Sequence, residues 1–177
     1  MQLEFAEITM PKFVHQQSDG AVLEALRLYN QPIFEGDQYR GPEIQRLNAR
    51  LINDFVVDRR RAFIAKTESN DTVAVACYDG RYRMRGCALI ERLVVADAVR
   101  GQGVGRFMID NLAQTASEQG LEALRLRALQ DSMGFYAHLG FVCDEIVPEY
   151  AEIPYMRLDI KTRSPRRSQA NTSLVLR

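Results

Sequence analysis

The stretch that decides the fold reads Leu93-Val94-Val95-Ala96-Asp97-Ala98-Val99-Arg100-Gly101-Gln102-Gly103-Val104-Gly105-Arg106. Its first three residues are an apolar run, as at the end of a buried strand. Glycine then takes every second position of a turn. From Gly103 to Gln119 apolar residues recur at helical spacing, and Gly120 stands where a helix would end. The stretch therefore predicts a strand, a glycine-rich turn and an amphipathic helix in succession.

The turn between this strand and this helix has the properties of an anion site. Backbone amides at the start of a helix have no acceptor within it, and the peptide dipoles give that end partial positive charge. Glycines let the chain turn with its amides inward and let a phosphate approach closely. Arg100 and Arg106 flank the turn and add formal positive charge. We expect a pyrophosphate to bind here; the alternative is a helix start without a ligand.

Two established phosphate loops do not fit this spacing. A Walker loop ends in Gly-Lys followed by Ser or Thr, whereas this one ends in Gly105-Arg106-Phe107. A Rossmann loop has wider glycine spacing near the start of its domain, with an acidic residue about 20 positions later. Here several predicted strands precede the loop, so neither class is favoured.

The rest of the chain supplies a sheet for this unit. Short or alternating apolar runs predict strands, and apolar residues at helical spacing predict helices. The predicted strands are 2–9, 62–66, 73–78, 87–96, 123–129, 141–147 and 153–160, and the predicted helices are 21–29, 43–57, 103–119 and 132–139. Asp131 or Ser132 is expected to cap the last helix, and Asp79-Gly80 to form a hairpin turn. In the 123–129 strand, Arg125 and Arg127 predict one polar face.

This order of elements predicts a single α+β domain of three layers, α/β/α. The central sheet is expected to be mixed, with the two strands that flank the 103–119 helix in parallel, because strand–helix–strand units cross over in that way. The last two strands are expected to form a hairpin. Residues 1–160 would form the domain, and the 161–177 tail, with five basic and no acidic residues, a flexible appendage.

Composition limits the class of protein. The chain has 177 residues with 46% apolar and 26% charged, and 23 basic balance 23 acidic side chains. That balance gives no indication of nucleic acid or membrane as a partner. The N-terminus lacks a basic region followed by an apolar run, and no stretch approaches the roughly 20 apolar residues of a membrane span. A cytoplasmic soluble protein is the expectation.

The three cysteines, Cys77, Cys87 and Cys143, lie far apart and show no Cys-x-x-Cys spacing. Neither a zinc site nor a disulfide framework is indicated. We expect them to be small buried apolar residues in a reducing compartment, and none is placed to act as a nucleophile.

Two blocks in order carry a family resemblance. Arg100-x-x-Gly103-x-Gly105, preceded by Leu93-Val94-Val95, resembles the acetyl-CoA signature of the GCN5-related N-acetyltransferase (GNAT) superfamily. Phe135-Tyr136-Ala137-His138-Leu139-Gly140-Phe141 is similar to that family's Phe-Tyr-x-x-x-Gly-Phe block. Ile153-Pro154-Tyr155-Met156 resembles, more weakly, the Ile-Pro-His-x-x-Met ending of some small members. The match covers roughly residues 62–159, and residues 1–60 would shape the acceptor side.

The resemblance implies a mostly antiparallel sheet that splays at an acetyl-CoA cleft, and it implies which residues bind the cofactor. The pantetheine arm would pair with the strand at Leu93, Val94 and Val95. The pyrophosphate would lie on the loop residues Arg100, Gly101, Gln102, Gly103, Val104, Gly105 and Arg106. Asp131, Ser132, Phe135 and Tyr136 would complete the site. Many members carry an asparagine where Leu129 stands here, and Gln130 or Asp131 are its candidate replacements.

The resemblance also implies catalytic roles. Tyr136 matches the tyrosine that serves as general acid for the leaving thiolate, and a phenol of pKa about 10 suits that task. The alternative is a tyrosine that only packs on the cofactor. On the 87–96 strand, alternation predicts that Glu91 shares a face with Leu89, Leu93 and Val95. Glu91 is the candidate base or ammonium-binding carboxylate; the alternative is a salt bridge to a neighbouring arginine.

Other candidates are weaker. Glu35, Asp37 and Glu43 are alternative acids for the acceptor side. His15 and His138 are expected to be exposed. Arg81, Arg83 and Arg85 are expected to form a solvated edge that discourages aggregation, with an acidic partner or substrate as the alternative.

The function implied is acetyl transfer from acetyl-CoA to a primary amine of a small molecule or peptide. The amine would attack directly in a ternary complex, without a covalent enzyme intermediate or a metal. The alternatives are a non-catalytic acetyl-CoA-binding regulatory module and an enzyme for a longer acyl donor. Homodimers are common in the family, and the sequence does not indicate a surface for one.

Overall fold

The computed structural model describes residues 1–8, 61–80, 86–145 and 154–160. Within them lie seven strands and two α-helices. The strands are β1 Leu3–Ile8, β2 Arg61–Thr67, β3 Thr72–Asp79, β4 Cys87–Val95, β5 Ala123–Arg127, β6 Val142–Glu145 and β7 Tyr155–Asp159. The helices are α1 Val104–Glu118 and α2 Gln130–His138.

The strands form one sheet in the order β1-β2-β3-β4-β5-β7-β6. The β4–β5 pair is parallel, and the other described pairs are antiparallel. The predicted α+β class, the parallel pairing across the helix and the final hairpin are therefore confirmed. The strands match the predicted runs closely, with ends shifted by one or two residues.

Helix α1 packs against one face of the sheet and fixes the strand–loop–helix unit. Its buried side chains follow helical spacing, as the sequence predicts: Val104, Phe107, Met108, Ile109, Leu112, Ala113 and Ala116. The chain leaves the helix at Gly120, which has φ +73°. The Gly120 amide donates to Ser117 O and the Leu121 amide donates to Ala116 O, each at 2.9 Å. These two bonds satisfy the last carbonyls of the helix.

Helix α2 starts earlier than the sequence predicts. It begins at Gln130, and Leu129 is the residue that precedes it, with no side-chain hydrogen bond to the helix amides. The prediction that Asp131 or Ser132 caps this helix is therefore wrong. The extended backbone of Leu129 turns the chain into the helix without help from a side-chain oxygen.

Several predictions lie outside the described residues. These are the helices at 21–29 and 43–57, His15, the acidic candidates between 35 and 43, the arginines at 81, 83 and 85, and the tail at 161–177. Of the described helices, neither is long and apolar enough to cross a lipid bilayer.

Of the two arginines that predict a polar face on β5, only one is exposed to solvent. Arg127 is exposed, but Arg125 is buried. The Arg125 Nε lies 2.8 Å from Asp144 Oδ2 on β6, and its guanidinium carbon lies 4.1 Å from the centre of the Tyr155 ring on β7. A buried cation needs such partners because water no longer solvates it. The pair thus joins β5 to the far edge of the sheet.

The buried ion pair predicts a large stability effect. Asp144→Ala removes the carboxylate beside a buried guanidinium, and we expect it to lower the free energy of unfolding by about 3 kcal/mol. The matched control is Asp159→Ala, which breaks the more exposed Arg157–Asp159 pair at 2.7 Å. That change should cost less than about 1 kcal/mol. Urea unfolding measures both, and equal losses would contradict the prediction.

Candidate functional site

The site begins where β4 and β5 separate. Their parallel pairing runs from Cys87 opposite Ala123 to Ile90 opposite Leu126, and goes no further. β4 itself continues to Val95, still paired with β3 on its other side. The carboxyl half of β4 therefore has an open edge, and among the described strands none pairs with it there.

A β-bulge lies at the point of separation. Cys77 pairs with Arg92 whereas Tyr78 pairs with Ile90, so Glu91 is the additional residue on β4. A bulge bends the strand that carries it and increases its local twist. The bulge directly follows Ile90, the last residue that pairs with β5, so the bend expected from it lies where the two strands separate.

The bulge also corrects the prediction of strand faces. Ile90 packs in the core cluster under α1, and Leu93 and Val95 pack against the same cluster. Glu91 shares the opposite face with Leu89, but not with Leu93 and Val95, because the additional residue reverses the alternation. The predicted common face for all four residues is wrong.

The open edge exposes particular backbone groups. The Ala96 amide donates to Val73 O on β3 at 2.9 Å. In an antiparallel pair successive residues direct their backbone N–H and C=O groups to opposite sides. The backbone groups of Val94 therefore point to β3, whereas those of Leu93 and Val95 point to the cleft. Val95 O accepts a hydrogen bond from Arg100 Nε at 3.2 Å. The backbone of Leu93 is thus best placed to pair with a strand-like ligand.

The glycine loop offers a cluster of amides. Gly101 and Gly103 have φ of +75° and +85°, values that residues with a side chain rarely adopt. Gly103 precedes α1, and no side chain caps the helix. Among the described residues, no backbone carbonyl accepts from the amides of Gly101 or of the four residues 103–106. These groups, and the open space beside Gly101, fit an anion such as a pyrophosphate.

The polar side chains of the loop are partly committed to the loop itself. Arg100 forms an ion pair with Asp97 Oδ1 at 2.7 Å, besides its bond to Val95 O. The side-chain amide of Gln102 donates to Ala98 O, and the backbone amide of Gln102 donates to Val99 O. Val104 is buried, so it can offer only its amide. The Arg106 side chain is exposed.

Helix α2 is packed directly onto this loop. A Cβ on Gly105 would lie 2.7 Å from the Phe135 ring, closer than carbon atoms can approach. Gly105 is therefore the residue that lets the Phe135 ring cross the start of α1. Of the other predicted ligands on α2, Asp131 is exposed and Ser132 is half-buried. Leu129 is 64% exposed.

Tyr136 follows Phe135 and faces the core. Its ring makes edge contacts with Phe135 and Phe141, with centroids 5.0 and 5.5 Å apart. It packs against the cluster that also carries Leu93 and Val95. Burial raises the pKa of the Tyr136 hydroxyl to about 12, because the phenolate would lose its hydration. Its hydroxyl has no hydrogen-bond partner in the described part of the chain.

Glu91 lies on the face of the sheet opposite α1, and its side chain is exposed. Its Oε2 lies 3.5 Å from the thiol sulfur of Cys77 on β3. Neither the bulge nor a role for Cys77 at the site is visible in the sequence pattern. The prediction that all three cysteines are buried holds for Cys77 and Cys87, whereas Cys143 is exposed. His138 is exposed, as expected.

The contact between Gly105 and Phe135 predicts opposite effects for two glycine substitutions. Gly105→Ala forces the tip of the half-exposed Phe135 ring to shift, so we expect a loss of about 1 kcal/mol in the free energy of unfolding. Gly134→Ala is the matched control in α2, since a Cβ there meets no atom within 4 Å. It should gain up to about 1 kcal/mol from helix propensity. In a Phe135→Ala background the Gly105→Ala penalty should vanish; a penalty that persists in thermal unfolding would contradict the contact.

Comparison with known proteins agrees with this architecture. The fold resembles Tetrahymena GCN5, with a TM-score of 0.64 at 15% identity over 89% of this chain and 96% of that one. It also resembles a protein of Acinetobacter baylyi ADP1, with a TM-score of 0.65 at 14% identity over 89% and 92%. At these identities the likeness shows the fold alone.

A sequence relative, N-alpha-acetyltransferase 80 of Mus musculus, is 41% identical over 59 residues, which is 33% of this chain and 18% of the mouse protein. A Bacillus subtilis (strain 168) relative matches over 35% of its length. The matched stretches thus span well under half of these relatives. The model of the acetyltransferase (GNAT) family, however, matches residues 23–141, more than half of the chain. The chain therefore belongs to the acetyltransferase (GNAT) family.

Proposed function

We propose that this protein transfers an acetyl group from acetyl-CoA to a primary amine of a small molecule or peptide. The observation that carries the proposal is the separation of β4 from β5 after Ile90, before a loop whose amides at Gly101 and residues 103–106 donate to no carbonyl of the described residues. An elongated ligand with a strand-like arm and a diphosphate matches the two features in the order in which they occur.

The donor fits the described residues in three places. The diphosphate would lie on the amides of Gly101 and of residues 103–106, with Arg106 adding charge. The amide-bearing arm would pair with the open edge at Leu93. Phe135, 41% exposed beside Gly105, would cover one side. Acetyl-CoA supplies an activated thioester, so holding the amine in line with it contributes much of the rate.

Tyr136 suits the role of general acid. Its ring is held by edge contacts with two other aromatic rings, and its raised pKa keeps the hydroxyl protonated at neutral pH. A proton on this oxygen can pass to the sulfur as the thioester breaks. Glu91, exposed on the opposite face beside the cleft, suits the role of binding the acceptor ammonium and accepting its proton.

The direct test is release of free CoA from acetyl-CoA with five acceptors: spermidine, L-lysine, L-glutamate, kanamycin and a tetrapeptide with a free N-terminus. We expect turnover with at least one of these amines. Calorimetry should show acetyl-CoA binding that is weakened by Gly103→Ala, since φ +85° is costly for alanine. Acetyl-CoA binding with no turnover on the panel would favour the non-catalytic regulatory module instead.

Tyr136→Phe should lower kcat about 100-fold and leave acetyl-CoA affinity unchanged, because it removes a proton donor and keeps the ring. Tyr78→Phe is the matched control: burial also raises the pKa of Tyr78 to about 12, but its hydroxyl bonds to Gln119 Oε1 at 2.8 Å. That variant should keep its kcat. Equal losses in the two variants would contradict the assignment.

The raised pKa of Tyr136 also predicts the pH dependence. A group whose pKa is raised on folding stays protonated until the pH approaches the raised value, here about 12. The ratio of wild-type to Tyr136→Phe rates should therefore be constant between pH 7 and 10. A ratio that falls across this range would show that Tyr136 ionises there, against the burial seen in the structure.

The size of the acyl group is a separate question. Leu93, which packs against the core cluster, and Phe135, which lies over Gly105, are the side chains we expect near the acyl group, and an acetyl group needs less room than a succinyl group. We expect acetyl-CoA to be preferred over succinyl-CoA in direct competition. A preference for succinyl-CoA would keep the acyltransferase chemistry and replace the donor.

A further inference from the structure

We infer that Cys77 is a positioning residue, whose thiol donates a hydrogen bond to the Glu91 carboxylate and holds it beside the cleft. The inference rests on the proposed role of Glu91 in the transfer. It goes beyond that role by naming what fixes the carboxylate. The evidence is a contact between neighbouring strands and the irregular backbone on which Glu91 stands.

The contact joins a buried donor to an exposed acceptor. Cys77 is 1% exposed, and its Sγ lies 3.5 Å from Glu91 Oε2. That separation suits a thiol, which is a weak donor with a large sulfur atom. Because the Cys77 side chain is buried, its sulfur has a fixed position, and the bond keeps the Glu91 carboxylate close to β3.

The backbone of Glu91 explains why such a bond matters. Glu91 is the bulge residue, so no β3 residue stands opposite it in the register, and the β4–β5 pairing has ended one residue earlier. A glutamate side chain has several rotatable bonds and loses much freedom when it is fixed. The bond from Cys77 therefore supplies a cross-strand link at the position where the ladder lacks one.

Cysteine suits this position better than other small donors. The neighbouring positions on this face of β2 and β3 are Ala62, opposite Cys77, and Val75, and both are buried. A thiol packs in such surroundings as a small apolar group and still carries a donor. A hydroxyl would bond more strongly but would cost more to bury.

The hydrogen bond is tested without any acceptor by Raman spectroscopy of the S–H stretch. The Cys77 band is identified as the one missing from the Cys77→Ser spectrum. We expect this band to move to higher frequency in Glu91→Ala, because the thiol loses its carboxylate acceptor. The Cys87 band, from a buried thiol that contacts Arg157 instead, should stay in place. An unmoved Cys77 band would overturn the inference.

The positioning role is tested by a double-mutant cycle with the panel amine that gives the highest rate. Cys77→Ala should lower kcat about tenfold with the KM for acetyl-CoA unchanged, and Cys77→Ser should restore most of the rate. In a Glu91→Gln background, Cys77→Ala should have no further effect. Cys87→Ala is the matched control and should keep its kcat.

The outcomes separate the two proposals. An equal loss from Cys77→Ala in both backgrounds would overturn the positioning role, since a general structural effect does not depend on Glu91. A Glu91→Gln variant with full activity would overturn both the role of Glu91 and the inference. No CoA release with any amine would overturn the proposed catalysis, while the Raman shift would still decide whether the Cys77–Glu91 bond exists.

Discussion

The end of pairing between β4 and β5 after Ile90 is the constraint on which the site depends. One strand keeps its neighbour on one side and loses it on the other, so its backbone groups stay extended and become available to a ligand. The bulge at Glu91 lies at this point, and a bulge bends the strand that carries it. The additional residue brings Leu93 and Val95 onto the face that packs under α1, while Glu91 remains on the opposite face.

The two helices hold the ends of this opening in place. Helix α1 is anchored by a continuous apolar stripe, so its uncapped amino end is fixed at the mouth of the cleft. Helix α2 crosses that end through Phe135 and packs Tyr136 against the core cluster on which Leu93 and Val95 also pack. The buried Arg125–Asp144 pair braces β5, the other wall of the cleft, against β6. Rigid elements therefore surround an edge of β4 with which no strand of the described residues pairs.

Much of this could be predicted from the sequence because it depends on local patterns. The apolar spacing of 104–116, the alternation of short strands and the alternating glycines each indicate one element, and two blocks in order indicate the family. The faces of β4 could not be predicted by alternation, since one additional residue reverses it. The adjacent polar residues Glu91 and Arg92 are the one local sign of the bulge. The burial of Arg125 depends on Asp144 and Tyr155, which lie far along the chain and meet it only in the sheet.

The contact of Phe135 with Gly105 has a consequence for how this sequence can change. The Phe135 ring of α2 occupies the space that a side chain at position 105 of α1 would need. The side chain that position 105 can accept therefore depends on the residue at position 135, because the ring tip must shift when residue 105 gains a Cβ. The glycine loop and helix α2 thus constrain each other's sequence at this one contact.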